Sequence, residues 1–499
     1  MNITFKPDSL ESYRQFLAVK QLPHYRIQGR TAWFPDEYAH LLHRRTRKRR
    51  EIDYTPPPWL FDYQRDMMRI MLRKRKYALF WDCGLGKTPM ILEFVRVARD
   101  ELDDKRGVLI LSPLNVIEQT IGEVDKFYHF QNDVLQIEQV HAAHLGEWLQ
   151  SCRGKIGITN YEALRPELEQ GQLGALVLDE SSILKSHYGK WGQTILKLGR
   201  GLEWKLCCTG TPAPNDRIEY ANHAVFLDSF STVNGFLATF FVNRGQTQER
   251  WVLKPHALRP FYTALSHWCH FLSDPSVYGW HDNTESIPPI HVHIHEVDMT
   301  DEQTKLVRSV TGELFASRMG GITRRGSLGQ VGKGFYRGEK VQSHKPQYIR
   351  SLIDRWIETE STLVWCLYNA EQDELARLLP CSGSIDGSTP YEKRMDIIRR
   401  FKSGEIRTLI SKPKILGFGL NLQKATRQVF SGLADSYESY YQAIKRSNRY
   451  GSTRSLNVHI PVTDIEEPMV QNVLRKAKCV QQDTEEQERL FKELAYDRN

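Results

Sequence analysis

Short apolar runs alternate with helix-like segments over residues 77–212: the runs fall at 77–81, 108–111, 156–159, 176–178 and 205–208. That alternation predicts a parallel sheet covered on both faces, with ligand-binding loops at the carboxyl ends of its strands. A second alternation begins near Val292 and takes in 363–367, 408–410, 429–431 and 456–460. It predicts a second, related α/β domain.

The remaining pattern is less regular. Residues 1–43 read as a small module: Asp8 and Glu11 flank a capping-box-like start, 9–22 carry helical periodicity, Pro23 ends it, and 25–34 read as a hairpin around Gln28-Gly29. Between the two alternations, Arg244, Arg250, Trp251, Lys254, Arg259 and Trp268 mark an amphipathic helical connector. Gly320, Gly321, Gly326, Gly332 and Gly334, interleaved with Arg324, Arg325, Lys333 and Arg337, predict a mobile basic loop. The last residues, from about 475, read as a mostly polar helix. The division expected is 1–57 for the N-terminal α+β module and basic linker, 58–255 and 291–475 for the two α/β domains, 256–290 for the connector and 476–499 for the terminal helix.

Chemistry enters at Asp82-Cys83-Gly84-Leu85-Gly86-Lys87-Thr88, between the first strand and the segment opening near Pro89. Backbone N–H groups of such a loop (Gly84, Leu85, Gly86) cradle phosphates, Lys87 pairs with the terminal phosphates, and the Thr88 hydroxyl suits magnesium. The full pattern wants glycine where Trp81 stands. Downstream, the 176–178 run ends in Asp179-Glu180-Ser181-Ser182. A carboxylate pair at a strand tip can hold a magnesium shell (Asp179) and orient an attacking water (Glu180). Together these predict ATP and Mg2+ as cofactors.

With Thr209-Gly210-Thr211-Pro212, Gly417-Phe418-Gly419-Leu420-Asn421 and the run from Gln442 to Gly451, which carries Arg446 and Arg449, the motifs resemble superfamily 2 motors of the Swi/Snf-like branch over about residues 58–465. In appearance the chain is similar to short phage- or prophage-type members. The resemblance implies two RecA-like parallel-sheet motor domains and a DNA-dependent ATPase that tracks on double-stranded DNA without reading its sequence. It implies an adenine-sensing role for Gln64, nucleotide contacts at Gly419 and Gln442, and nucleic-acid contacts at Ser112, Pro113, Asn160, Tyr161, Thr209, Gly210, Gly417 and Asn421. Arg446 and Arg449, three apart on a helix starting near Tyr437, would share one face. They would stabilise charge on the transferring phosphoryl group. Ser182 stands where the family's box often ends in histidine. The rivals are a branch-migration or strand-annealing helicase and, in another class, an ATP-switched DNA-binding scaffold in a phage or defence complex.

Composition narrows the setting. The chain has 499 residues, 40% hydrophobic and 26% charged, as in a soluble globular protein. No apolar stretch approaches a membrane span and the N-terminus lacks a signal-peptide core, so the expected location is the cytoplasm; the resemblance to phage- or prophage-type members implies a prokaryotic or phage-infected cell, with phage replication, modification or defence proteins as partners. Eight cysteines without a C-x-x-C pair favour reduced thiols and no structural metal. The net charge of +8 is concentrated: Arg44-Arg45-Thr46-Arg47-Lys48-Arg49-Arg50 precedes a proline linker, and Arg73-Lys74-Arg75-Lys76 precedes the nucleotide loop. The first run, with Arg47 and Lys48 at its centre, suits polyphosphate attraction.

Overall fold

The computed structural model describes residues 1–6, 10–35, 38–42, 52–128, 134–185, 189–245, 251–281, 287–316, 321–416, 422–434, 436–449 and 452–496. Asp8, Arg250, Gly320 and the 44–50 basic run lie outside them. Two compact units emerge: Met1–Asp282 with Val480–Asn499, and Asn283–Cys479.

In the first unit the strands are β1 (Asn2–Thr4), β2 (Arg26–Gln28), β3 (Thr31–Trp33), β4 (Lys76–Trp81), β5 (Gly107–Ser112), β6 (Glu138–Gln139), β7 (Ile156–Asn160), β8 (Leu173–Asp179), β9 (Trp204–Cys208), β10 (Phe241–Asn243), β11 (Trp251–Leu253) and β12 (Cys269–Leu272). Among the described residues a seven-stranded parallel sheet runs β12-β4-β9-β8-β5-β7-β6. Successive residues of its central strands face opposite sides. Ala78, Phe80, Leu109, Leu111, Leu176 and Leu178 enter one core. Tyr77, Leu79, Val108, Ile110, Ala175 and Val177 enter the other. A strand covered on both faces has no solvent side, hence the continuous apolar runs.

Three features place parts of the chain that the sequence leaves open or reads otherwise. β12 follows the helix Leu258–Ser266 and adds an edge to the sheet, where a helical connector was expected. Its His270 is buried and accepts the Trp81 indole N–H at 3.0 Å; burial pushes its pKa down to about 3, so it packs as a neutral ring. Second, the N-terminal module shares its core with the sheet, Phe34 and Tyr38 belonging to the same cluster as Phe80. Third, the final helix, Glu467–Tyr496, contributes its latter part to the first unit: Asp483 pairs with Arg217 and accepts Tyr262 Oη at 3.0 Å, and Glu488 accepts Ser273 Oγ at 2.8 Å.

The second unit contains β13 (Ile290–Glu296), β14 (Phe335–Tyr336), β15 (Glu339–Lys340), β16 (Ser361–Trp365), β17 (Gly383–Ser384), β18 (Thr408–Ser411), β19 (Ala425–Phe430) and β20 (Leu456–Val462). Its parallel sheet runs β13-β20-β19-β16-β18-β17 among the described residues. Each unit is thus a parallel α/β sheet of the kind the two alternations in the sequence predict.

The predicted mobile basic loop is instead a helix, Gly321–Gly332, followed by the short β14–β15 hairpin. Its last glycine permits close approach. A Cβ on Gly332 would lie 2.9 Å from Thr463 Oγ1 and Glu466 Cδ. Lys333, counted as a loop cation, is buried and donates to Glu466 Oε1 at 2.6 Å, while Lys345 donates to Oε2 of the same carboxylate. Burial alone would raise the Glu466 pKa; the two lysines outweigh it and hold the group far below the usual carboxylate range.

At the β13 edge, His459 Nε2 faces Arg427 Nη1 at 3.0 Å, His459 Nδ1 faces His295 Nε2 at 3.0 Å, and His295 Nδ1 faces Tyr348 Oη at 3.1 Å. Guanidinium only donates, so His459 Nε2 must accept and Nδ1 must carry the proton. The stack of His293, His459 and Trp356 covers the ring. Burial first, then His293, His295 and Arg427, push the His459 pKa down to about 3, against Glu360. The folded ring is therefore neutral where the unfolded one, with an ordinary value of 6.5, takes a proton. Stability of the second unit should fall as pH drops below about 6.5, by up to about 1.4 kcal/mol per pH unit for His459 and less as water reaching the neighbouring edge strand β13 screens it. Denaturant unfolding followed across that range checks this: His459→Asn should flatten the slope, and an unchanged slope would contradict the assignment.

Candidate functional site

The phosphate-loop motif joins β4 to the helix Lys87–Glu101. Gly84 and Gly86 adopt φ of 93° and 72°, and a Cβ on Gly86 would lie 2.3 Å from Gln64 Nε2, so only glycine suits that turn. Gln64 is buried. Its Oε1 accepts Phe61 N at 3.0 Å, and its Nε2 donates to Leu85 O at 3.2 Å and Gly86 O at 3.3 Å, tying the helix Asp62–Lys74 to the loop. Tyr63 Oη donates to Leu85 O at 3.1 Å from the same helix. Trp81, where the sequence pattern wants glycine, sends its ring into the core and leaves its carbonyl at the loop.

That carbonyl accepts Lys87 Nζ at 3.0 Å, and the Asp82 carbonyl accepts it at 3.2 Å. Burial opposes the ammonium charge, but Cys83, Glu180, Asp82 and Asp179 outweigh it, and the Lys87 pKa lies above its ordinary value. Thr88 follows in the first helical turn, partly exposed. A 15-residue helix aims its positive end at this loop.

The acid pair sits at the tip of β8. Pairing sets Leu178 beside Leu111 and Asp179 beside Cys208, which brings the next residues, Ser112 and Thr209, to the acids. Ser112 Oγ donates to Asp179 Oδ2 at 3.0 Å, and Thr209 Oγ1 donates to Glu180 Oε2 at 3.2 Å. Burial, and then Glu180, raise the Asp179 pKa, with Ser112 and Lys87 opposing. Glu180 has φ of 52°, a left-handed backbone for a residue with a side chain. Tyr161 Oη donates to the Asp179 carbonyl at 2.6 Å, and Asn160 Oδ1 caps Ala163 N at 2.8 Å.

Ser112, Tyr161 and Thr209 are buried and their hydroxyls are bonded to the acid-bearing segment. Of the predicted contacts there, Pro113, Asn160 and Gly210 are partly exposed. The sequence reading missed Ser181 and His223: Ser181 Oγ lies 3.1 Å from His223 Nε2, and burial pushes the His223 pKa down to about 4. No local pattern flags this pair, 42 residues apart. Ser182 is buried, and the link from the acids toward Thr209-Gly210-Thr211-Pro212 runs through Glu180, with Thr211 N donating to Thr209 Oγ1 at 3.1 Å.

In the second unit the helix Tyr437–Ile444 ends before both arginines, a correction to the expected shared helical face. The buried Gln428 of β19 takes the Ala443 carbonyl at 3.0 Å and Ser447 Oγ at 2.9 Å, and the chain tightens to i→i−3 bonds at Arg446 and Ser447. Arg446 is buried, with Nε donating to Gln442 O at 3.2 Å; Arg449 is partly exposed. Gln442 is buried, and its Nε2 has no hydrogen-bond partner among the described residues, as suits a ligand donor. Gly417, Gly419, Asn421, Arg47 and Lys48 lie outside the described residues.

The donor set fits a magnesium nucleotide. Magnesium takes one or two carboxylate or hydroxyl oxygens and completes its shell from phosphates and water, and Thr88 and Asp179 are of that kind. Among the described residues no group of three or more His, Cys, Asp or Glu is arranged around a metal, and no helix is long and apolar enough to cross a membrane.

Comparison with known proteins agrees with this arrangement. Residues 63–329 match the SNF2-related domain, and residues 344–451 match the helicase conserved C-terminal domain. A curated relative, the DNA annealing helicase and endonuclease ZRANB3 of Bos taurus, is 23% identical over 457 residues, covering 82% of this chain and 39% of its own. The chain thus spans about two fifths of that relative's length. Among solved structures, the Sulfolobus solfataricus SWI2/SNF2 ATPase core in complex with dsDNA aligns at 19% identity and a TM-score of 0.40, over 88% of this chain and 96% of that one. The C-terminal part of the Fun30 ATPase domain aligns at 17% and 0.34, over 38% and 89%. With the SNF2-related match alone spanning more than half of its residues, the chain belongs to the SNF2-related family of superfamily 2 DNA-dependent ATPases.

Proposed function

We propose that this chain is a motor that hydrolyses magnesium-bound ATP while tracking on double-stranded DNA. The observation that carries the reading is the Lys87 ammonium set among Asp82, Asp179 and Glu180 at the strand tips, with Thr209 bonded to the acid that would orient water. Loop amides of Gly84, Leu85 and Gly86 bind phosphates, Lys87 neutralises the terminal ones, and Thr88 with Asp179 holds the metal. Magnesium held there by Thr88 and Asp179 would supply positive charge against the phosphates. Glu180 orients the attacking water, and Thr209 senses that acid and passes its state to the loop carrying Gly210. Gln64 serves the adenine edge and Gln442 the nucleotide, joined by Gly419; Arg446 and Arg449 are assigned to the charge on the transferring phosphoryl group.

We assign 58–255, extended by the β12 edge strand, and 291–475 to the two motor domains, 1–57, the rest of 256–290 and 476–499 to the parts that frame them, and the cytoplasm as the setting, which the eight free cysteines favour. DNA contacts are assigned to backbone groups around Ser112, Pro113, Asn160, Tyr161, Thr209 and Gly210, to Gly417 and Asn421, and to the Arg47-Lys48 run. Strand annealing is the second reading, favoured by the activity named for the relative from cattle.

Lys87→Ala should abolish DNA-stimulated hydrolysis. Glu180→Gln keeps the acid's shape and should still bind ATP while losing turnover, read by nucleotide binding alongside phosphate release. Equal turnover in Glu180→Gln and the parent would remove Glu180 from the mechanism.

Replacing Arg449 with alanine should lower turnover by up to about three orders of magnitude with a much smaller change in ATP affinity, as for a transition-state arginine. Weak ATP binding with normal turnover at saturation would make it a ground-state contact.

Because phosphate contacts carry no sequence information, stimulation should follow DNA form and length and not base sequence. A duplex-tracking motor should strip the third strand from a triplex and leave a simple fork wound. Fork unwinding without triplex displacement would make the chain a conventional helicase.

A further inference from the structure

The N-terminal module presents a sheet face that ATP chemistry does not use. Register aligns Asn2, Trp33 and Arg26 across β1, β3 and β2, and Thr4, Thr31 and Gln28 in the next row. Alternation sends the residues between them, Ile3, Ala32 and Ile27, to the core. The six outward residues include no carboxylate. Trp33 is 43% exposed, Arg26 is exposed and makes no ion pair among the described residues, and the His24 ring stands edge-on to the indole at 5.8 Å. These groups line an open concavity of about 900 Å³.

A single exposed tryptophan is ordinary on a protein surface. This one is placed differently: it stands in a row with an amide and a guanidinium, on a face whose outward strand residues include no acid. Lys254 lies near the rim, where burial first, and then Lys254 and His256, lower the His24 pKa. A protein-binding surface would need a larger apolar centre than one indole. A duplex offers no free base plane away from its ends, whereas an unpaired strand offers a plane at every nucleotide.

We propose that this face binds single-stranded DNA, one unstacked base lying on the Trp33 indole and Arg26 taking an adjacent phosphate. Asn2 and Gln28 can donate to or accept from any base edge, so the site is tolerant of sequence. It would place a grip for an unpaired strand in the same chain as a duplex-tracking motor.

The test uses the full chain without nucleotide, a labelled oligothymidylate and a duplex of equal length, with binding read by anisotropy. Trp33→Ala should weaken oligothymidylate binding roughly five- to a hundredfold, the range for losing one stacked base, and leave duplex affinity within about twofold. Trp33→Phe should restore most of the loss. Arg26→Gln should flatten the salt dependence for the single strand by about 0.7 log unit. Circular dichroism and unchanged duplex-stimulated hydrolysis would show each variant folded. No oligothymidylate binding by the parent chain, an unchanged affinity in Trp33→Ala, or an equal loss on duplex and single strand would each overturn the proposal. Trp33-dependent binding in a chain with no duplex-stimulated hydrolysis would sink the motor reading and leave this site standing.

Discussion

The central strands of both units are buried on both faces, and that constraint governs where polar chemistry can stand. A carboxylate midway along β8 would meet apolar side chains on either side at a cost of several kcal/mol. At the tip it meets Ser112, Thr209 and Lys87. The ladder of parallel hydrogen bonds fixes how far each strand projects, so the spacing among these four groups follows from register. A slip of one residue would turn Asp179 to the opposite core.

The second unit places charge differently. Lys333, Glu466 and Lys345 are buried and complete one another, and the backbone yields space for them: a Cβ on Gly432 would lie 2.2 Å from Lys333 Cε. Such a triad is weak evidence of net stabilisation, since well-packed apolar groups of the same volume do as well, but removing one member would cost about 3–5 kcal/mol by leaving buried charge unpaired. Its value is in specification. One carboxylate ties the helix Gly321–Gly332, through Lys333, and the helix Lys345–Asp354 to the turn after β20.

What the chain discloses locally, it discloses well. Leu176, Val177 and Leu178 mark a strand because no polar residue interrupts them, and the Gly86-Lys87-Thr88 run lies at the strand-to-helix junction that the spacing implies. Readings fail where a partner distant in sequence decides. Gly321–Gly332 is helical although each interior glycine costs about 1 kcal/mol in propensity, and its last residue, Gly332, lies so close to Thr463 and Glu466 that a side chain there would clash. The helix before Arg446 stops because Gln428 reaches its last carbonyls. β12 hides because its histidine is kept neutral within the core, where Trp81 supplies a donor. The hydroxyls of Ser112 and Thr209 read as free for phosphate only until their acids, 67 and 29 residues away, are placed.

Glu180 holds a left-handed backbone that a glycine would occupy without strain. Strain of this kind is of order 1–3 kcal/mol and persists only where neighbours over-determine the conformation; here Asp179 is pinned by Ser112 and Tyr161, and Glu180 itself by Thr209. The most permissive residue for this turn is therefore one that could not orient water. If Glu180 has the role proposed for it, foldability and turnover pull in opposite directions at this position, and the surrounding hydroxyls are what let the chain keep the less comfortable choice.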